Sequence, residues 1–158
     1  MRLCIAGQLA LMPASVAILA PGVNAFRRLR KNLTEPVFNS WGYNTRSAAL
    51  RIPCSDDGNR RIEYRLAGAD ANPYLVAATI LTGMLYGLEH IDEGDLPEPQ
   101  HDQPELPLFQ QEAIEAFARC QYLTDSLGDA FSEQWVACKL SELDWFERIV
   151  TQEESHLA

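Results

Sequence analysis

The sequence predicts an α+β fold in which an antiparallel hairpin over about residues 47–66 packs with helices. Two short runs, 47–53 and 60–66, flank Ser-Asp-Asp-Gly-Asn at 55–59, a cluster of turn-forming residues. The second run alternates Arg61, Glu63 and Arg65 with Ile62, Tyr64 and Leu66, the period of a strand with one polar face. Most of the remaining chain reads as helix. With 158 residues and 47% hydrophobic content it suffices for one domain-sized core.

From the N-terminus, residues 3–11 are mostly apolar without turn residues and predict a helix. Pro13 should break or restart it, with a second helical piece reaching Ala20. Met1-Arg2 ahead of this run, with Val23-Asn24-Ala25 behind it, imitates a signal peptide. Gln8 and Pro13 interrupt the run, and a buried amphipathic helix fits better. Pro21-Gly22 marks a turn, and Asn24 can cap a short helix over 25–31. Residues 32–44 read as irregular, with Pro36 and Gly42 as breakers.

After the hairpin, Asn72-Pro73 is a helix start, Asn as cap and Pro in the first turn. Residues 74–88 are apolar nearly all round, so this helix should be buried, with Gly83 and Gly87 allowing a close neighbour. It is too short for a membrane span, which needs about 20 apolar residues. Residues 92–107 read as an exposed acidic loop. Two helices, 111–121 and 132–150, follow, with Gly128 near the break between them.

The net charge is −9, yet the basic residues are concentrated. Residues 27–65 hold nine basic residues against four acids, whereas 66–158 hold three against eighteen. The overall acidity argues against a nucleic-acid binder. A local positive field in an acidic chain points to a bound anion. The four cysteines, Cys4, Cys54, Cys120 and Cys138, lack metal-finger spacing and read as buried or incidental thiols of a reducing compartment rather than a disulfide framework. His90, His101 and His156 sit in or near acidic segments without ligand spacing, and there is no phosphate-loop motif.

Strand spacing places Arg61, Glu63 and Arg65 side by side, about 6–7 Å apart. Arginines so close repel unless an acid or a polyphosphate compensates. The guanidinium fork grips phosphate oxygens in pairs and stays charged. A carboxylate beside bound phosphate can hold Mg²⁺ or Mn²⁺. The same alternation is also the pattern of a solvated face laced with weak ion pairs, and the residues alone leave both open. Arg27, Arg28 and Arg30, taken alone, read as surface charges on a helix.

Three ordered motifs then become recognisable. Asn24-Ala25-Phe26-Arg27-Arg28-Leu29 resembles the Asn-Ser-Tyr-Lys-Arg-Leu motif of the glutamine synthetase family. Trp41-Gly42 with the stretch from Asn44 to Pro53 resembles its Trp-Gly…Asn-Arg…Arg-Ile-Pro strand. Arg60-Arg61-Ile62-Glu63-Tyr64-Arg65, followed by Asp70-Ala71-Asn72-Pro73-Tyr74-Leu75, is similar to its Arg-Arg-Ile-Glu-x-Arg…Ala-Asn-Pro-Tyr-Leu signature. The nearest flavour is the γ-glutamylpolyamine synthetase branch, from the Trp-Gly element, the Arg-Leu-Ala-Gly run and the tail Lys139…Glu142…Phe146.

The resemblance implies a cytoplasmic ATP-dependent ligase joining the glutamate γ-carboxylate to an amine or ammonia through γ-glutamyl phosphate. It implies ATP and Mg²⁺ or Mn²⁺ as cofactors and a homo-oligomeric full-length protein, with neither nucleic acid nor membrane as partner. By matched position Glu63 is a metal ligand. Arg46, Arg51 and Arg61 bind phosphate, with Arg46 catalytic beside the transferring phosphoryl group. Arg28 and Arg65 hold glutamate carboxylates. Two positions depart from the family pattern. Thr45 stands where the family has Asn, with Asn44 one step earlier. Thr34 stands where ammonia-using members carry a flap Glu, with Glu35 one residue later, which favours a larger amine. The family's other metal-ligand motifs and its small N-terminal domain lie upstream of the matched region. The chain, 1–158, is thus expected to be the C-terminal part of a catalytic domain and inactive alone. The other expectation is a non-catalytic nucleotide-binding or assembly partner of a full-length member.

Overall fold

The computed structural model describes residues 1–30, 36–92, 98–99 and 104–149. Among them are six α-helices and a three-stranded sheet. The order is α1 (Arg2–Leu19), α2 (Val23–Arg28), β1 (Trp41–Tyr43), β2 (Leu50–Ile52), β3 (Glu63–Tyr64), α3 (Pro73–His90), α4 (Gln110–Arg119), α5 (Gln121–Leu127) and α6 (Asp129–Glu147). The α+β class is as predicted.

Helix α1 is the core of the molecule. Ile5, Met12, Val16, Ile18 and Leu19 along it are at most 1% exposed. It is long and apolar enough to cross a membrane by length and composition, but 78% of that stretch is buried inside the fold. Pro13 does not break it, contrary to the local rule. A proline removes its own N–H and leaves the carbonyl four residues back without a helical partner. Here that carbonyl is Leu9 O, and Asn39 Nδ2 donates to it at 2.9 Å. A side chain from thirty positions away supplies the bond the proline cannot make.

Helices α1 and α3 cross at glycine. A Cβ on Gly7 would lie 2.2 Å from Gly83 O, and one on Gly87 would lie 2.0 Å from Leu3 O. The two backbones therefore touch, as Gly83 and Gly87 predicted. The expectation that α3 is buried all round is wrong. Thr79, Thr82, Gly83 and Gly87 are its buried residues, while Tyr74 is 84% exposed and Leu81, Leu85 and Leu88 are exposed with it. Apolar composition on every side does not decide which side is covered. The α3 start is as predicted: Asn72 Oδ1 accepts from Tyr74 N at 2.9 Å.

The hairpin is present but shorter than the sequence runs. β2 and β3 pair antiparallel, with Arg51 opposite Glu63 and Leu50 opposite Tyr64. The 55–59 turn contains a short 3₁₀ turn at Asp57–Asn59, capped by Asp56 through Asn59 N. β1 lies inside the stretch expected to be irregular and pairs parallel with β2. Three residues centred on glycine show no alternation long enough to detect. Asn24 is not a cap: α2 starts at Val23 with Gly22 before it, and Asn24 Oδ1 instead accepts from Arg27 Nη1 at 3.1 Å. The C-terminal region holds three helices rather than two, because Cys120 separates α4 from α5 and Gly128, at φ 90°, separates α5 from α6. Of the expected acidic loop, the described part includes a bridge from Glu105 to Phe38 and a buried Leu106. The remainder, with Thr34, Glu35, His101 and His156, lies outside the described residues.

Candidate active-site face

The β2–β3 register builds the site. Directly opposed residues on paired strands share a face, so Arg51 and Glu63 project together. Arg61, two residues before Glu63, projects to the same side. Arg51 Nη1 donates to Glu63 Oε2 at 3.0 Å, and Arg61 Nη2 donates to Glu63 Oε1 at 3.0 Å. One carboxylate thus bridges two guanidinium groups, one oxygen to each. The Glu63 side chain is 30% exposed and accessible from solvent. On the other side of β3, burial pushes the Tyr64 phenol up, opposed by a hydrogen bond from Ser15.

A residue the sequence reasoning did not assign completes the clamp on Arg51. Asn44 sits at φ 49°, in the left-handed region that asparagine tolerates better than most residues. Its backbone N–H donates to Ile52 O at 2.9 Å, tying the β1 end to β2. Its Oδ1 accepts from Arg51 Nη2 at 2.9 Å. The shift of asparagine by one position was the signal, because an Asn ahead of a turn is a candidate for positive φ. Gly42, opposite Arg51 in the parallel register, adds no side chain beside it. Arg51 Nε is buried with no acceptor, so this guanidinium still lacks one hydrogen bond.

The other assigned residues divide. Arg46 is exposed and makes no hydrogen bond or ion pair among the described residues. Arg65 Nη1 donates to Ala48 O and Arg28 Nη2 to Leu66 O, each at 3.4 Å. The structure therefore joins Arg51, Arg61 and Glu63 directly, and it places Arg28 and Arg65 against neighbouring backbone rather than on Glu63. Arg60, which the motif contains but no role claims, pairs with Asp57.

The residues fit a polyphosphate and a hard divalent cation in a specific way. Among the described residues Glu63 is the acid paired with both Arg51 and Arg61. A cation on Glu63 and phosphate oxygens on the arginines would exchange each charge for a like one, leaving no group unpaired. No group of three or more metal-ligating side chains exists among the described residues, so Glu63 would be a single ligand group of such a site. All four cysteines are free thiols, as expected, but none is buried: Cys54 and Cys138 are exposed and Cys4 and Cys120 partly so.

Comparison with known proteins identifies the family. The family description "Glutamine synthetase, catalytic domain" matches residues 1–157. The chain is 44% identical to γ-glutamylputrescine synthetase PuuA of Escherichia coli (strain K12) over 156 residues, covering 95% of this chain and 33% of that protein. It is 35% identical to lengsin of Mus musculus, covering 89% and 26% respectively. It is 32% identical to glutamine synthetase of Pyrococcus woesei, covering 91% and 35%. The chain spans about a third or less of the length of these relatives.

Proposed function

The chain belongs to the glutamine synthetase family, and on that premise we propose that it carries the phosphate-binding half of an ATP-dependent glutamate–amine ligase site. The observation that carries this reading is the paired clamp on Glu63, with Arg51 on one oxygen and Arg61 on the other. In this reading Arg51 and Arg61 release Glu63 and hold ATP phosphates. Arg46, exposed and uncommitted, meets the phosphoryl group moving to the glutamate γ-carboxylate. Arg28 and Arg65 orient the glutamate carboxylates. Mg²⁺ or Mn²⁺, held in part by Glu63, would offset phosphate charge. The amine then displaces phosphate from γ-glutamyl phosphate. The similarity to a γ-glutamylputrescine synthetase favours a polyamine over ammonia as acceptor. A homo-oligomer in the cytoplasm is the setting this family reading carries with it.

The 158-residue chain by itself is proposed to be inactive, because one metal carboxylate does not assemble a phosphoryl-transfer site. The test is ATP- and glutamate-dependent phosphate release by the purified chain, with ammonia and with putrescine. The expected result is no release above the no-enzyme control. Turnover at about 1 s⁻¹ or faster, the ordinary range of enzymes, would overturn it. The second reading, a nucleotide-binding or assembly partner of a full-length relative, is favoured by the exposed apolar side of α3. It predicts a stable complex with such a relative on size exclusion, where the first reading predicts none.

A further inference from the structure

Helix α3 carries two apolar features side by side. The first is a ridge. Tyr74, Ala77, Leu81, Leu85 and Leu88 recur three or four apart, so they line one side of the helix, and all five are exposed. None of them carries a charge. The second is a groove of about 520 Å³ between α1, β3 and the same helix. Met1, Cys4, Ile62, Ile80 and Met84 give it apolar walls, and Arg60 and Arg61 complete its lining. Ridge and groove adjoin, because Met84 lies three residues from Leu81, one from Leu85 and four from Leu88.

A ridge beside a groove is complementary to itself. Turned about a two-fold axis, each copy lays its ridge in the groove of the other, the isologous arrangement of a symmetric dimer. The area suffices. Tyr74, Leu81, Leu85, Leu88 and Met1 are between 48% and 84% exposed. They present on the order of 600 Å² per copy, the upper end for the largest apolar patch of a monomer. Two copies supply about 1,200 Å², where stable specific interfaces begin, before the groove walls are added. The charges fit as well. Seating Leu85 and Leu88 in the partner's groove carries the exposed acids Glu89 and Asp92 towards the groove that Arg60 and Arg61 line. Exposed pairs of this kind add little affinity, but they orient two apolar faces. We propose that a second copy of this chain covers this face, in a two-fold dimer in which Leu81, Leu85 and Leu88 of each copy enter the groove of the other.

The pairing does not rest on the ligase reading, and its test uses neither nucleotide nor metal. Sedimentation equilibrium of the 158-residue chain should give twice the monomer mass at about 100 µM. In a mixture of labelled and unlabelled chain, isotope-filtered NOEs should join the Leu81 and Leu85 methyls of one copy to the Ile62 and Met84 methyls of the other. Leu81→Lys with Leu85→Lys, at exposed positions, should weaken the dimer at least tenfold and keep the ¹H–¹⁵N spectrum of a folded chain. Leu140→Lys, at an exposed leucine of α6, should leave the dimer intact. The proposal is overturned by a chain that stays monomeric, by open-ended assembly without a dimer, or by intermolecular NOEs confined to other surfaces. Undiminished association of the double variant, or equal loss in Leu140→Lys, also overturns it. A chain that is monomeric alone and binds only a full-length relative would assign the face to that partner instead.

Discussion

Asn39 illustrates how a single residue carries a helix. Its side-chain amide replaces the bond that Pro13 denies to Leu9 O. Asn39→Ala should therefore cost about 1–2 kcal/mol, the range for a stranded buried carbonyl. Restoring the backbone N–H with Pro13→Ala should recover part of that loss, so a double-mutant cycle by urea denaturation should show coupling of about 1 kcal/mol. Additive effects would separate the two residues. Glu63 is the opposite case. Its ion pairs are half-exposed, so Glu63→Gln should change stability by about 1 kcal/mol or less, while removing the proposed metal ligand. Tyr122 supplies a pH-dependent contact. Its hydroxyl donates to Glu89 at 2.7 Å, and this bond and the neighbouring negative charge raise the phenol from 10.0 to about 12. A raised acid pKa stabilises the folded protonated form. The contribution is thus complete below pH 10 and lost as pH rises towards 12, and Tyr122→Phe should flatten thermal stability across that window.

At the scale of elements, the α1–α3 crossing is the tightest contact. Gly7→Ala places a methyl 2.2–2.5 Å from α3 backbone atoms and should cost roughly 3 kcal/mol or force the helices apart. Gly58→Ala, whose nearest neighbour would be at 3.7 Å, is the control and should stay within about 0.5 kcal/mol. The glycine contact was legible because two glycines four apart share one helix face. The hairpin was legible because turn residues and alternation are local. β1 was not, since its partner is parallel and its three residues carry no pattern. The continuity of α1 through Pro13 was hidden because its remedy, Asn39, is distant in the chain. The exposure of α3 was hidden because hydrophobicity records what a face prefers, not what covers it. Tyr74, Leu81, Leu85 and Leu88 leave that face apolar. Leu81→Lys with Leu85→Lys should lower concentration-dependent light scattering without lowering the melting temperature.

At the scale of the molecule, the charge map and the fold describe one arrangement. The basic stretch of an acidic chain folds into a hairpin whose shared carboxylate holds two arginines in place. The sequence motifs assigned roles to six residues. The geometry joins three of them and adds Asn44 as the residue that positions Arg51. Arg46, Arg28 and Arg65 were legible only by resemblance, since their proposed ligands are small molecules and not neighbours in the chain. The central claim is that the clamp around Glu63 exchanges its internal ion pairs for a metal–polyphosphate. Calorimetric titration of the 158-residue chain with ATP, in Mg²⁺ and in EDTA, tests it most directly. The account predicts binding that requires Mg²⁺, weakens at least tenfold in Arg51→Ala and loses its metal dependence in Glu63→Gln. ATP binding of equal strength in all three proteins, or equal strength in Mg²⁺ and EDTA, would contradict it.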